Sequence, residues 1–283
     1  MTASLNQRIR NFYDASSGLW EQVWGEHMHH GYYAPGEDSA RKNRVTAQID
    51  LVEELLRWAQ LEQANQALDV GCGIGGSSRL LAQRYGAQVV GITLSPVQAQ
   101  RATERSDSIG LTAQTQFQVA DALAMPFADG QFDLVWSLES GEHMPDKKTF
   151  LQECYRVLKP GGKLMLATWC HRQLGPGFAP LSADEQQHLA DIYRVYCLPY
   201  MISLAEYEQI AQGLGFTAIR TDDWSERVAP FWDLVIDSAL DPRNLLRLLT
   251  SGWNTVEAAL ALPLMSRGYR RGLVKFGVLC ASR

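Results

Sequence analysis

Two hydrophobic rhythms alternate along the chain. In residues 45–59, VTAQIDLVEELLRWA, the positions Val45, Ile49, Val52, Leu55 and Leu56 fall on one helical face. The rhythm then shortens to Ala67-Leu68-Asp69-Val70, a brief run stopped by Gly71, and SSRLLAQRY beyond the glycines returns to a helical pattern. The cycle repeats: Gln88 to Ile92 predicts a strand, Pro96 to Ser108 a helix, and Gln116 to Val119 and Phe132 to Ser137 two further strands. Lys147 to Leu158 reads as a helix ending at Lys159-Pro160-Gly161-Gly162, and Lys163 to Thr168 as the next strand. Later, Leu204 to Leu214 is helical, while Phe216 to Trp224 and Leu273 to Ala281 are extended. Strands alternating with helices require right-handed crossovers, so the expected fold class is α/β with a parallel sheet covered on both faces.

Two long stretches, about 171–202 and 226–270, interrupt the alternation, and both are rich in aromatics. Insertions of this size in an α/β domain usually serve as lids or binding walls. The eight Trp and ten Tyr concentrate outside the central strands, which points to an aromatic-lined pocket. At roughly 150 residues per domain, 283 residues fit one large domain or a core with a sizeable insertion. The 26 basic and 31 acidic side chains leave a net charge of −5, which gives no field for polyanions, so no nucleic-acid partner is expected. Five cysteines, Cys72, Cys154, Cys170, Cys197 and Cys280, form an odd set without a CxxC pair, as free thiols in a reducing compartment do. The polar N-terminus is unlike a signal peptide, and no window reaches the ~18 apolar residues of a membrane span. The expectation is a cytoplasmic protein.

The sharpest chemical signal is Leu68-Asp69-Val70-Gly71-Cys72-Gly73-Ile74-Gly75-Gly76, a glycine loop between a strand and a helix. Gly71 and Gly73 allow a tight turn and close approach to a ligand, and the helix start offers unpaired N–H groups. A P-loop would need Gly-Lys-Ser/Thr, which is absent, and GxGxG preceded by an acidic residue differs from the dinucleotide GxGxxG.

Here the chain resembles the class I S-adenosylmethionine-dependent methyltransferases, whose sheet is Rossmann-like and seven-stranded. The resemblance implies that Asp69 and the backbone of Gly71, Cys72 and Gly73 hold the methionine end of S-adenosylmethionine. Where most members carry an acidic residue for the ribose, this chain reads Gly91-Ile92-Thr93-Leu94-Ser95-Pro96-Val97-Gln98, similar to a Thr-Leu-Ser variant in which Thr93, Leu94 and Gln98 take that role. Asp121 and Ala122 stand where the family contacts adenine, at a strand end where ligands of such sheets bind. Taken alone, Asp121 also suits a helix N-cap. Phe132-Asp133-Leu134-Val135 resembles the family's fourth strand, and Leu138 at its end belongs to the cofactor pocket on the same resemblance.

Segments outside the cofactor loop narrow the resemblance to the γ-tocopherol C-methyltransferases: residues 12–33, Ser137 to Pro145, Ala167 to Arg172, Tyr196 to Tyr200, and Val228 to Asp233. Plant members carry a transit peptide that this chain lacks, so a cyanobacterial type is expected. The implied reaction is C-methylation of the chromanol ring, γ- to α-tocopherol and δ- to β-tocopherol, with a small lipophilic phenol as partner. Carbon methylation beside a phenol needs a base within reach of the hydroxyl. His143, beyond the fourth strand, is the leading candidate, although a structural loop histidine would look the same. Glu139, with Glu142, would orient it, or Glu139 would touch the cofactor.

The family frame divides the single domain into an N-terminal lid (1–44), a cofactor-binding core (45–170), cap insertions (171–202 and 226–270), and returns to the core (203–225 and 271–283). Tyr13, Trp20, Trp24, Tyr32 and Tyr33 fall in the lid, where aromatic faces hold a sulfonium by cation–π attraction worth ~0.5–2 kcal/mol per contact. For each of them a place in the core is an equal alternative. His27, His29 and His30 lack Cys or carboxylate partners at ligand spacing, and a sulfonium needs no Lewis acid, so no metal is expected. Phe178, Tyr193, Tyr196, Tyr200, Phe231, Trp232 and Trp253 are candidates for a groove around an isoprenoid tail. Residues 258–275 join an apolar face to Arg267, Arg270, Arg271 and Lys275, fit either to rest on an anionic membrane or to form a lid helix with a solvated basic end. Three other readings stay open: an N-methyltransferase of a small amine or indole alkaloid, another quinol or phenol methyltransferase, and a lipid-binding protein that keeps a cofactor fold.

Overall fold

β1 (Gln66–Val70) pairs with parallel neighbours on both sides, and every residue after Gln66 is buried, which explains its apolar sequence. The computed structural model describes residues 5–11, 13–14, 25–240 and 253–283. Around β1 stand β2 (Gln88–Thr93), β3 (Thr115–Val119), β4 (Phe132–Leu138), β5 (Leu158–His171), β6 (Thr217–Asp223) and β7 (Val274–Ser282) in the order β3-β2-β1-β4-β5-β7-β6. The chain winds outward from β1 in both directions, so a crevice opens between β1 and β4 at their carboxyl ends.

Helices cover both faces. α1 (Arg44–Trp58) turns Leu51, Val52, Leu55 and Leu56 into one apolar layer, while Val45 is exposed, so the buried face is narrower than the spacing predicts. α2 (Gly76–Tyr85) and α3 (Pro96–Ser108) follow β1 and β2, and Ser95 caps α3 by accepting from the Gln98 N–H. α4 (Lys147–Val157) buries Phe150, Leu151 and Cys154 against the opposite face. The first long stretch contains α5 (Ala183–Val195); α6 (Leu204–Leu214) precedes β6; α7 (Ser225–Val228), α8 (Pro230–Leu240) and α9 (Trp253–Arg270) lie between β6 and β7.

The sheet departs from the sequence expectation in two respects. β7 runs antiparallel to both neighbours. The chain leaves β6 at the carboxyl edge, builds α7 to α9 there and re-enters from the same edge, so β7 has to run backwards; Asp223 at the end of β6 faces Gly277 near the start of β7. β5 begins at Leu158 rather than Lys163, because Lys159-Pro160-Gly161-Gly162 continues the strand through an irregularity opposite Phe132 and Leu134, with Gly161 at φ +78°.

Candidate active site

The loops beyond β1 to β4 enclose a pocket of about 1020 Å3, its mouth included. Asn6, Ile9 and Tyr13 from the N-terminal helical segment and residues 26–29 complete its wall.

Glycine makes the pocket floor. Gly71 has φ +78°, its N–H bonds the Ile92 carbonyl at 2.9 Å, and a Cβ there would lie 2.2 Å from Cβ of Ser140 in the β4 loop. Gly73, at φ +54°, faces open space, the nearest atom to a methyl placed on it being Sδ of Met28 at 3.8 Å. Asp69 is buried, and its Oδ2 accepts from Ser78 Oγ at 2.6 Å. Burial pushes its carboxyl up to about 7 against the opposing pulls of Ser78 and Arg79. A buried carboxylate with no ion-pair partner among the described residues, beside a glycine turn that leaves room, fits the cationic amine of an amino-acid ligand.

Across the pocket, Thr93 Oγ1 donates to Gln98 Oε1 at 2.8 Å and accepts from the Ser95 N–H at 3.2 Å. This orientation leaves the Gln98 amide nitrogen toward the pocket, 4.0 Å from Met28 Sδ, with Leu94 alongside. Asp121 caps no helix: its Oδ1 accepts from the Leu123 N–H at 2.9 Å in a turn that leads on toward β4. Its Oδ2 accepts from Asn6 Nδ2 at 2.8 Å, and Ala122 lines the wall beside it.

At the far end the pocket meets Leu138, Glu139, Ser140 and the turn Gly141–His143. Tyr13 Oη lies 2.7 Å from Nε2 of His143, with the rings edge to face at 5.4 Å. Nδ1 of the His143 ring is buried, and the ring also faces the Cys197 main chain. Burial, and then the Lys147 charge, push this imidazole down to about 3, so it is a neutral acceptor at physiological pH. Burial and the nearby Glu142 and Glu139 charges raise the Tyr13 phenol well above its ordinary range, keeping it protonated.

Glu139 lines the pocket, and its carboxylate bonds to His30 and Trp169 rather than to His143. At φ +53°, its Oε1 accepts from the His30 N–H (2.7 Å) and its Oε2 from His30 Nδ1 (2.8 Å) and Trp169 Nε1 (2.9 Å). These partners hold its carboxyl below the usual range although burial opposes them. The carboxylate is committed to protein donors, and neither it nor Glu142 hydrogen-bonds His143; Glu142 Oε2 accepts from Thr168 Oγ1 at 2.6 Å. His30 also reaches α8, its Nε2 accepting from Trp232 Nε1.

His27 and His29 are buried against α1. Gln48 of α1 donates to the carbonyls of His27 and His29, and Gly31 permits the approach, since a Cβ there would lie 2.6 Å from that of Ala47. Burial, and then His29, push His27 down to about 3, and burial lowers His29 as well. No group of three His, Cys, Asp or Glu suited to a metal occurs among the described residues.

Asp69, Gly71, Cys72 and Gly73, the Thr93 and Asp121 segments, Leu138, Glu139 and His143 border this one pocket, together with Tyr13, His27 and His29. Trp24 and Trp20 lie outside the described residues, as does the Trp253 side chain. The expected aromatic groove is not where the sequence put it. Tyr196, Phe231 and Trp232 are buried core around His30 and Trp169, Tyr193 packs against that core, and Phe178 and Tyr200 are exposed. Tyr32 and Tyr33 sit against Lys42 and away from the pocket. The basic residues at and beyond the end of α9 are paired with acids: Arg270 with Asp233 (3.4 Å), Arg271 with Asp184 (2.5 Å) and Lys275 of β7 with Asp223 (2.9 Å). No helix among the described residues is long and apolar enough to cross a membrane. Asn6, Met28 and Lys147 were not anticipated; the helical spacing of Asn6, Ile9 and Tyr13 was the legible signal for the first.

A family model described as "Methyltransferase domain" matches residues 68–166. The chain is 51% identical to a probable chloroplastic tocopherol O-methyltransferase of Oryza sativa subsp. japonica, over 97% of this chain and 77% of that protein. It is 47% identical to the chloroplastic tocopherol O-methyltransferase of Arabidopsis thaliana, over 100% of this chain and 83% of that protein. Among solved structures, geranyl diphosphate C-methyltransferase from Streptomyces coelicolor A3(2) shares the fold with a TM-score of 0.77 at 22% identity, over 100% of this chain and 98% of that one.

Proposed function

The chain belongs to the tocopherol methyltransferase family of S-adenosylmethionine-dependent enzymes, and from that premise we infer that it methylates a ring carbon of a tocopherol, converting γ- to α-tocopherol. The observation that carries the reading is likeness along the whole chain, including the lid and cap segments that a shared cofactor fold does not require. S-adenosylmethionine supplies an electrophilic methyl group on a sulfonium when bound. Asp69 pairs with its amine, Gly71, Cys72 and Gly73 lie along its methionine end, Thr93, Leu94 and Gln98 take the ribose, and Asp121 and Ala122 take the adenine. In this reading residues 1–44 act as the lid, 45–170 as the cofactor core, and the two insertions as the cap.

The acceptor hydroxyl meets Tyr13, whose hydrogen bond to His143 supports a proton path. A phenol of ordinary acidity does not give its proton to an imidazole pushed down to about 3. As the ring carbon gains its bond, however, positive charge spreads onto the phenolic oxygen and its proton becomes strongly acidic. At that point Tyr13 Oη accepts it while Tyr13's own proton passes to His143 Nε2. The ring then loses its C–H proton to solvent and the imidazolium returns a proton to the oxygen, restoring the phenol. A lipid acceptor implies work at a membrane surface, by peripheral contact.

A panel of γ- and δ-tocopherol, a benzoquinol and several small amines tests the substrate. Chromanols are expected to give the highest kcat/KM; a preference for an amine overturns the reading in favour of N-methylation.

A further inference from the structure

We propose that Lys147 is a positioning residue for methyl transfer: its buried ammonium fixes the Gly141–His143 turn and so holds the His143 ring at the pocket wall. The inference rests on the reading of His143 as the proton acceptor. Lys147 opens α4, and its Nζ donates to the carbonyls of Gly141 (2.9 Å), Glu142 (2.9 Å) and Met144 (2.7 Å). An ammonium has three N–H groups and no acceptor, so every donor is spent on the segment that carries His143. The residue is only 2% exposed.

This placement works against helix stability. A cation at a helix N-terminus opposes the macrodipole, and burying it costs hydration. Its gain lies in the turn. Tyr207 Oη also donates to the Gly141 carbonyl at 3.2 Å, and Thr168 holds Glu142, so the turn is fastened from α4, α6 and β5 together. The Tyr200 ring covers the ammonium at 4.9 Å.

The groups facing Lys147 are Glu142, Cys170, Tyr200 and Tyr207. Those facing His143 are Tyr13, the Cys197 main chain and Lys147 itself. Burial pushes Lys147 down to about 8, and burial with the Glu139 charge raises Glu142 to about 7. While charged, Lys147 also disfavours protonation of His143, which keeps Nε2 open as an acceptor.

In the full chain, Lys147→Met is expected to lower kcat on γ-tocopherol by about 10- to 100-fold, with S-adenosylmethionine affinity within about threefold of wild type. The double variant with His143→Ala is expected to be no slower than His143→Ala alone. A wild-type kcat for Lys147→Met overturns the inference, as do losses that multiply in the double variant. A wild-type rate for His143→Ala is a different result, and it removes the base reading together with the role built on it. If Lys147→Met does not fold, Lys147→Gln serves instead: it cannot supply three donors to the turn, so kcat is expected to fall while S-adenosylmethionine affinity stays within about threefold of wild type, and a wild-type kcat overturns the inference.

Discussion

The Tyr13 hydroxyl lies within hydrogen-bond distance of Nε2 of His143, at 2.7 Å, across 130 positions of sequence. The contact joins the N-terminal segment to the loop after β4, so the acceptor end of the pocket is complete only when that segment is docked. Asn6, two turns earlier on the same segment, reaches Asp121 at the other end of the pocket.

Removing either member of the Tyr13–His143 pair should separate chemistry from binding. His143→Ala and Tyr13→Phe are each expected to lower kcat by about 10²- to 10⁴-fold, the range for a positioned proton acceptor. Calorimetry should find S-adenosylmethionine affinity within about threefold of wild type, because Tyr13→Phe keeps the ring. An unchanged kcat in both variants would remove the pair from the mechanism.

Asp69 predicts a pH dependence of donor binding. Its carboxyl stands near 7 in the free protein, and the amine of the donor requires the ionised form. Below pH 7 the free protein is protonated at Asp69, so affinity should fall by up to about tenfold per pH unit from pH 7 toward pH 5. Asp69→Asn should bind weakly at every pH with the slope gone. A slope that persists in Asp69→Asn assigns it to another group.

Gly71→Ala tests how closely the β1 and β4 loops approach. Its Cβ would meet Cβ of Ser140 at 2.2 Å, and φ is +78°. Left-handed backbone costs about 1–2 kcal/mol and overpacking about 1–3 kcal/mol. Both a lower Tm and weaker donor binding should follow; retention of both would mean that Ser140 moves aside freely.

For Glu139→Gln the expected loss is in stability rather than in chemistry. One oxygen of the carboxylate becomes an NH2 facing the donors of His30 and Trp169, which leaves buried groups unpaired at about 1–3 kcal/mol. Denaturant titration should show that loss while kcat, measured below the melting range, stays within about tenfold. A collapse of kcat at unchanged stability would return Glu139 to the chemistry.

The cofactor half of the site was legible because its determinants are local. Asp69, Gly71 and Gly73 lie within five residues, and Ser95-Pro96 writes the start of α3 into the sequence. The acceptor half depends on contacts between distant segments. Glu139 meets His30 109 positions away, and no spacing rule pairs them. Lys147 reads as an ordinary charged residue on a helix, and only the fold buries it under the His143 turn. The aromatic surplus was real, but Phe231, Trp232 and Tyr196 surround His30 and Trp169 as core. The direction of β7 was hidden because a nearly continuous apolar run reads the same either way along the sheet.

The most direct test supplies γ-tocopherol with S-adenosylmethionine carrying a deuterated methyl group and locates the label in the product by mass spectrometry and proton spectra. The expected product is α-tocopherol, with the label on the chromanol ring carbon beside the hydroxyl and the phenol free. Label on the phenolic oxygen, or no transfer while calorimetry shows the donor bound, would contradict the account.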